Sequence, residues 1–427
     1  MVQTCSAAFD SVLRLPESIL KMYQGSKVST GFKGAIGAFD GLVKAIKALD
    51  DELPLAVLNI SPTTEHLRYT SVFTPVPLPT TLASSMPKNG RYLSPMEIIL
   101  EFEKSSRWPD DLHAIQKIKL AFFERVTTVL MTSIQGLKAT VIIGDGVSSS
   151  EIRDNVRLEL VTPEGWAFSA RIWHSREVTL LDCIIDNKSR VLPHVTTKPA
   201  ETQNGKVYQE ALEAKEVYTR RFIHAPRHHR AVASLCHHFT AYAGTVRLVK
   251  RWLASHWLLH GHIREEVVEI ICASFFVGDG QNIGGPEKGD QHAHVPGSKE
   301  RGFANVVEFF KDWKWEDGLF VPLYGGADSS PGTQTFVATA GCKSGVWNVL
   351  TEADKEGRVW TSSGPDVILA HRVRSLAKAT WDYLQGMEQG NLNVQVREMN
   401  ACPALYAQCC RSRCLSTRPK TTTLSSN

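Results

Sequence analysis

Two acidic residues at the end of an apolar segment are the first candidates for chemistry. Residues 96–103 have the composition of a β-strand, and Glu101 and Glu103 close it. Because side chains alternate along a strand, both carboxylates lie on the same side. Two carboxylates in this spacing can hold Mg²⁺ for phosphoryl or nucleotidyl transfer. The alternative is a strand end whose acids simply face water.

Nucleotidyl transfer also needs a phosphate cradle, which a glycine-serine turn before the acidic strand supplies through free backbone N–H groups. The corresponding residues 62–68 contain no glycine, and Pro62 lacks an N–H while Glu65 repels phosphate. We therefore predict that the cradle is lost and that the chain has no catalytic residue, no metal and no cofactor.

An active metal-dependent nucleotidyltransferase that uses Glu101 and Glu103 is the alternative function. It requires a third carboxylate within reach of the same metal ions. The predicted strands offer only Asp145 and Glu159 for that role.

The second candidate site is a basic stretch, residues 217–264. It contains eight Arg or Lys, eight His and no Asp or Glu, whereas the whole chain carries a net charge of only +4. Within it, residues 245–259 have helical spacing, and the apolar stripe consists of Val246, Val249, Leu253 and Trp257. Arg247, Lys250 and Arg251 are predicted to lie on another, cationic face of the same helix. An amphipathic helix with a cationic face suits a polyanion, and nucleic acid is the commonest one.

We predict mainly electrostatic RNA contact, because no side-chain pattern for reading bases is evident. The predicted contacts come from seven residues: Arg220, Arg221, Arg227, Arg230, Arg247, Lys250 and Arg251. A solvated basic face and docking on an acidic protein surface are the alternatives. The histidine pairs lack neighbouring carboxylates, so a metal site is not predicted there.

The surrounding elements divide the chain into two parts. Residues 31–175 alternate two helices, at 31–49 and 112–131, with strand patterns, which predicts a mixed sheet with helices. Asp110 or Asp111 can cap the second of these helices. The strands are predicted at 55–60, 96–103, 140–143, 156–161 and 166–173, the last two as a hairpin, with a further extended segment at 67–73.

From about residue 205 the pattern becomes helical. The clearest helices are predicted at 208–222, 230–239, 245–259, 264–276, 303–310 and 372–387. The fold class is therefore α+β, with a sheet part followed by a helical part.

Composition limits the class of protein. With 427 residues, 43% of them hydrophobic and 22% charged, the chain is typical of a soluble globular protein of two or three domains. It has no apolar run long enough for a membrane span. Five of the nine cysteines are isolated, which indicates buried free thiols in a reducing compartment.

Long segments of the chain resemble the Nrap family, the nucleolar RNA-associated proteins of the small-subunit processome. The segments are LRYTSVF (67–73), MEIILEFEKSSRWPDDLHAIQKIKLAFF (96–123), FIHAPRHHRAVASLCHHF (222–239), GTVRLVKRWLASHWL (244–258), REEVVEIICASFF (264–276) and GRVWTSSGPDVILAHRVRSLAKAT (357–380). The resemblance implies an inactive nucleotidyltransferase-like domain at 31–215 and a helical domain like that of poly(A) polymerase and oligoadenylate synthase at 216–388. Residues 1–30 would be the remnant of an upstream region, and residues 389–427 a disordered or aberrant tail.

The same resemblance implies a non-catalytic, RNA-associated scaffold of small-subunit ribosome biogenesis, located in the nucleus and nucleolus. Its implied partners are pre-rRNA or small nucleolar RNA and other processome proteins, with no membrane. Family members are much longer than this chain, so the implied match is to the later pair of domains.

Overall fold

The structure is a computed structural model, and it describes residues 9–24, 29–85, 94–105, 108–144, 152–186, 201–277, 295–325, 346–362 and 364–388. The predicted tail at 389–427 and the candidate acid Asp145 lie outside the described residues.

Helices and strands alternate in the first half of the chain, and helices dominate the second. The helices are α1 Glu17–Met22, α2 Gly31–Lys47, α3 Thr80–Ser85, α4 Leu112–Ser133, α5 Arg176–Ile185, α6 Glu201–Tyr218, α7 Ala225–His238, α8 Thr240–Ser255, α9 Glu265–Ala273, α10 Lys299–Asp312 and α11 Val367–Glu388. The strands are β1 Val57–Pro62, β2 Met96–Phe102, β3 Lys138–Ile143, β4 Val156–Val161, β5 Ala167–Trp173, β6 Leu319–Val321 and β7 Val349–Thr351. A π-helical segment, Thr219–His224, follows α6.

The described residues form two compact units. The sheet unit contains residues 29–67 and 75–226, and the helical unit contains residues 9–24, 68–74 and 227–388. The chain therefore contributes a short segment from its first half, residues 68–74, to the helical unit. The boundary predicted after residue 215 lies inside α6, which runs to Tyr218.

The sheet unit is built on five strands in the order β1-β2-β5-β4-β3. β2 and β5 are parallel, while the other neighbouring pairs are antiparallel, so the sheet is mixed as predicted. β4 and β5 form the predicted hairpin. Inward-facing residues of these strands, such as Leu100 and Leu158, are buried in one apolar core.

Helix α4 shows how the sequence sets one of the core elements. The Asp111 carboxylate caps its first turn by accepting from the Ala114 N–H at 2.9 Å, which confirms one of the two predicted caps. Ile115 and Phe122 then recur at helical spacing and are buried in the core of the sheet unit. Lys119 lies on the same stripe and is buried as well.

Two local predictions differ from the structure. The extended segment predicted at 67–73 forms no strand, because the chain leaves the sheet through a 3₁₀ turn at Glu65–Arg68 and continues without regular structure in the helical unit. The helix predicted at 245–259 ends at Ser255, so Trp257 follows the helix and is 50% exposed instead of lying on the apolar stripe.

The helical unit has its core among α8, α9, α10 and α11, and the two-stranded parallel pair β6–β7 packs on α9. Val249, Ile270 and Val306 are fully buried there, one from each of α8, α9 and α10. No helix in the described ranges is both long and apolar enough to cross a bilayer.

The β4–β5 turn generates a stability prediction. Gly165 has φ +93, and a Cβ added there would clash with the Leu78 backbone, whose N–H donates to the Gly165 carbonyl at 2.8 Å. Gly165→Ala should lower the free energy of unfolding by about 2–3 kcal/mol, since it combines a left-handed backbone with overlap. Gly41→Ala is the control, because a Cβ there meets nothing within 4 Å and alanine favours the α2 helix. Urea denaturation of both variants measures the difference, and equal stabilities would contradict the prediction.

Candidate functional site

The acidic strand end is where catalysis would have to take place. Glu101 lies near the end of β2, in register with Asn59 of β1 on one side and with Trp173 of β5 on the other. Glu103 directly follows the strand and is exposed. Neither flanking strand contains an Asp or Glu. The two carboxylates therefore gain no third carboxylate from the strands paired with β2.

The other described candidate acid on the sheet is too distant. Glu159 of β4 is in register with Ser169 of β5, which in turn is in register with Glu97. Glu97 precedes Glu101 by four residues, or about 13 Å along a strand, so Glu159 does not reach a metal held by Glu101 and Glu103. No cluster of three or more His, Cys, Asp or Glu suited to a metal ion occurs among the residues that the structure describes.

The end of β5, next to the acidic end of β2, is occupied by aromatic rings. His174 follows β5 and stacks on Trp108 with ring centroids 4.1 Å apart. Burial, together with the nearby cations Lys119 and Arg176, lowers the pKa of His174 to about 4, so its ring is neutral at physiological pH. The Tyr218 hydroxyl donates to the His174 carbonyl at 2.6 Å. These contacts fix an aromatic group at the strand end beside Glu101.

The loop after β1, where the phosphate cradle is predicted to be lost, uses its polar groups internally. The Thr63 N–H donates to the Glu97 carbonyl at 3.1 Å, and the Thr63 hydroxyl donates to the same oxygen at 3.2 Å. The Thr64 hydroxyl and the His66 ring are hydrogen-bonded at 3.2 Å. These hydrogen bonds hold the loop to the start of β2. Because the Thr63 N–H already donates to a carbonyl group, it does not contribute to a phosphate cradle.

A buried ion network, the Asp154 network, lies in the sheet unit. Lys119 donates to Asp154 at 2.9 Å and lies 2.6 Å from Glu177, while Arg171 contacts Asp154 at 3.1 Å. Arg221, one of the predicted RNA contacts, lies 3.5 Å from the same Asp154 carboxylate. The network joins α4, α5, β5 and the π-helical segment.

Charge balance in the Asp154 network differs between its two acids. Burial alone would raise the pKa of Asp154, but Lys119, Arg171 and Arg221 outweigh burial and lower this pKa. Burial dominates at Glu177 and raises its pKa to about 7, although Lys119 opposes the shift. Arg221 thus helps to neutralise the buried Asp154 carboxylate.

A second buried network, the Glu269 network, lies in the helical unit. The fully buried Glu269 carboxylate accepts from Arg68 at 3.0 Å, from Lys250 at 2.7 Å and from the Thr70 hydroxyl at 2.6 Å. His228 donates to the same carboxylate from Nε2 at 2.6 Å. Four side chains from α7, α8 and the segment at residues 68–74 thus converge on one acid of α9.

The ionisation of Glu269 follows from these partners. Burial would raise its pKa, but Arg68, Lys250 and His228 hold the pKa well below the usual range of a glutamate. The His228 ring is itself fixed, because its Nδ1 is hydrogen-bonded to the Tyr324 hydroxyl at 3.0 Å. The carboxylate is therefore ionised at physiological pH although it is fully buried.

Two more of the predicted RNA contacts bind the segment at residues 68–74. Arg247 donates from Nε to the Ser71 carbonyl at 3.0 Å and from Nη2 to the Val72 carbonyl at 3.3 Å. The Arg251 guanidinium lies over the Phe73 ring, 5.1 Å from its centroid. Both side chains thus attach this irregular segment to α8.

The prediction that Lys250 belongs to an exposed cationic face is wrong, since its side chain is 0% exposed. Lys250 follows Val246 by four residues and precedes Leu253 by three, so helical geometry places it on the apolar stripe. It is buried there as an ion pair with Glu269.

The other predicted RNA contacts lie in different surroundings. Arg230 of α7 is exposed, and the Arg227 guanidinium lies 5.2 Å from the centroid of the Tyr324 ring. Arg220 pairs with Glu216 at 3.3 Å. Arg220 and Arg221 belong to the sheet unit, and the remaining predicted residues belong to the helical unit.

The sequence motifs do not predict the two buried ion networks, but the sequence does contain a signal for them. Glu269 is a single carboxylate among apolar helical residues, between Val268 and Ile270. Lys119 likewise interrupts the apolar stripe of α4. A charge on an apolar stripe indicates a buried ion pair.

Both halves of the chain match profiles of one family. The Nrap protein nucleotidyltransferase domain 4 matches residues 8–237, and the Nrap protein PAP/OAS1-like domain 5 matches residues 239–400. The chain belongs to the Nrap family. Its α+β fold is accordingly a nucleotidyltransferase-like mixed-sheet domain followed by a helical domain of the PAP/OAS1 type, which confirms the predicted fold class.

Relatives of this Nrap chain are much longer proteins. It is 31% identical to U3 small nucleolar RNA-associated protein 22 of Saccharomyces cerevisiae, over 66% of this chain and 19% of that protein. It is 25% identical to the Schizosaccharomyces pombe protein of the same name, over 84% of this chain and 30% of that one. Nucleolar protein 6 of Mus musculus is 25% identical over 88% of this chain and 30% of its own length. These nucleolar relatives confirm the predicted nuclear and nucleolar location.

The Glu269 network yields a prediction for this Nrap chain. Glu269→Gln keeps the shape of the side chain but removes the negative charge between the buried cations Arg68 and Lys250. We expect the free energy of unfolding to fall by about 3–5 kcal/mol at pH 7, since buried charges lose their partner. Glu356→Gln, which changes an exposed pair with Arg358, is the control and should leave stability unchanged.

The pH dependence of the Glu269→Gln effect follows from the sign of the pKa shift. A carboxylate with a lowered folded-state pKa contributes stability that is present above its unfolded pKa and is lost as pH falls through the folded value. The stability gap between the two proteins should thus be complete at pH 7 and should shrink below about pH 4. Urea unfolding at a series of pH values measures the gap, and a constant gap would contradict the assigned role of Glu269.

Proposed function

We propose that this chain is a non-catalytic, RNA-associated scaffold of small-subunit ribosome biogenesis. The observation that carries the proposal is the strand next to the acidic pair. β5 contains no carboxylate, and it ends in Trp173, which the stacked His174 follows. Nucleotidyl transfer uses metal ions that stabilise both the attacking and the leaving oxygen. Glu101 and Glu103 alone provide an incomplete set of ligands for that arrangement.

RNA association is supported by the names of two relatives, which are U3 small nucleolar RNA-associated proteins. Small nucleolar RNA or pre-rRNA is the proposed nucleic-acid partner of this chain. Other proteins of the small-subunit processome are the proposed protein partners, a role that membership of the Nrap family supports.

One face of α7 supports direct contact with RNA phosphates. Four exposed residues recur there at intervals of three and four: Arg230, Ser234, His237 and His238. Arg227 precedes Arg230 by three residues and extends the same face toward the N-terminal end of α7. Guanidinium groups in a row along a helix can bind successive phosphates.

The α7 face gives a prediction about salt-dependent RNA binding. Arg227→Gln with Arg230→Gln should weaken binding to single-stranded RNA at low salt. The slope of log affinity against log salt should decrease in magnitude by about 0.7 for each phosphate that the variant no longer neutralises. Fluorescence anisotropy over a range of KCl concentrations measures both quantities. Lys314→Gln is the control, since Lys314 is exposed in the same unit but lies outside α7. An unchanged slope in the double variant would remove α7 from the RNA surface.

Catalysis is the competing function, because Glu101 and Glu103 are retained at the strand end. Incubation with labelled nucleoside triphosphate, Mg²⁺ and an RNA with a free 3′ end should give no incorporation, since the flanking strands supply no third carboxylate. A nucleotidyltransferase with known activity serves as the positive control. Incorporation by this chain that Glu101→Ala abolishes would establish an enzyme and overturn the proposal.

A further inference from the structure

The turn between α8 and α9 exposes a large aromatic side chain. α8 ends at Ser255, and Trp257 is half exposed two residues later. Its backbone is in the left-handed region, with φ +62, and His260 has φ +67. A bulky residue in this conformation is uncommon, because its Cβ crowds the backbone in a way that glycine avoids. The turn thus places an aromatic ring in solvent at a position where glycine would be less strained.

Hydrogen bonds hold this turn in one conformation. The Trp257 N–H donates to the Ala254 carbonyl at 3.1 Å, and the Leu258 N–H donates to the Leu253 carbonyl at 3.0 Å. The Ile263 N–H closes the turn by donating to the Leu258 carbonyl at 3.0 Å. Leu258 and Ile263 are buried in the helical unit. The indole therefore projects from a fixed backbone, which lowers the entropy lost when a ligand binds to it.

An arginine of another helix lies against the same turn. Arg372 of α11 is exposed and donates from Nη2 to the His256 carbonyl at 3.2 Å, one residue before Trp257. This hydrogen bond occupies one N–H of the guanidinium, which has five. The backbone contact therefore holds a positive charge at the residue that precedes Trp257.

Acidic groups do not cancel this charge within the turn. Residues 256–264 contain three histidines and Arg264 but no Asp or Glu. The next residue, Glu265, lies 3.3 Å from the Lys250 ammonium, which balances its carboxylate, and 2.7 Å from the His260 ring. The charge at this turn suits an anionic ligand.

We propose that this turn is a binding site for single-stranded RNA, in which a base stacks on Trp257 and Arg372 contacts an adjacent phosphate. Single-stranded nucleic acid combines the two features that the turn complements, an unpaired flat base and a negatively charged phosphate next to it. An acidic peptide would satisfy the arginine but would leave the indole face without a flat partner. The site rests on the proposed RNA association and adds a base-stacking contact to the phosphate contacts of α7.

The test uses the full 427-residue chain and a fluorescently labelled single-stranded oligouridylate. Trp257→Ala should weaken binding about tenfold, because the stacking of one base is removed. Trp257→Phe should retain most of the affinity, since a phenyl ring still stacks. Tyr383→Ala is the matched control, because Tyr383 is an exposed aromatic residue of the same unit, and this variant should bind as the parent does. Blunt duplex RNA, whose bases are already stacked, should bind the parent and these three variants equally.

A glycine variant separates binding from folding. Trp257→Gly should have a melting temperature at least as high as that of Trp257→Ala, because glycine adopts φ +62 without strain. It should nevertheless bind single-stranded RNA as weakly as Trp257→Ala does. Arg372→Gln should reduce affinity as well, with a smaller salt dependence.

The outcomes distinguish this site from the proposed function. If the α7 arginine variants bind RNA weakly while Trp257→Ala retains full affinity, RNA association stands and the stacking site is wrong. If neither set affects RNA binding, the RNA contacts of both sites are wrong. If Trp257→Ala leaves RNA affinity intact but releases a processome protein from the chain in a pull-down, the turn is a protein interface and the stacking site is overturned.

Discussion

The helical unit depends on one buried carboxylate. Glu269 sits in the apolar part of α9 and would be costly to bury without partners. It accepts hydrogen bonds from four side chains, those of Arg68, Lys250, His228 and Thr70. Arg68 and Thr70 come from the irregular segment at residues 68–74, while the other partners come from α7 and α8. Replacing a whole buried network with apolar side chains is often neutral, but removing a single member leaves a charge without its counterion. The carboxylate thereby couples the position of residues 68–74 to the packing of three helices.

The sheet unit contains a comparable arrangement around Asp154. This carboxylate is contacted by one cation from a helix, one from a strand and one from the π-helical segment, namely Lys119, Arg171 and Arg221. Strand pairing places Glu101 beside Trp173, whereas the ion pairs connect β5 to the elements that pack around it. Arg171 lies on β5 two residues before Trp173, and its guanidinium contacts the Asp154 carboxylate. Strand β5 thus contributes an arginine to the buried ion pairs of the sheet unit and no carboxylate beside Glu101.

Periodicity made most of the fold predictable. The strand Val156–Val161 has the predicted limits, and α4 begins after Asp111 because a carboxylate there can cap the first turn. Residues 67–73 have the composition of an extended segment, since β-branched and aromatic residues favour strands wherever a sheet edge is available. In this protein the carbonyl groups of this segment are bound by Arg247 instead. The conformation of residues 67–73 thus depends on contacts with a residue far along the chain, and the local sequence does not predict such contacts.

The many cations of residues 217–264 do not all lie at the surface, so the composition of this stretch alone does not identify a binding site. Lys250 neutralises a buried acid, Arg221 contacts another, and Arg247 attaches an irregular segment to α8. These side chains contribute to folding, because each has an internal partner of opposite charge or a carbonyl group. The proposed RNA binding would then depend on groups that the fold leaves at the surface, such as Arg230 on α7. A Glu enclosed by apolar residues, as Glu269 is by Val268 and Ile270, predicts that some nearby cations are internal. Buried acids should therefore be identified before a basic stretch is assigned to nucleic acid.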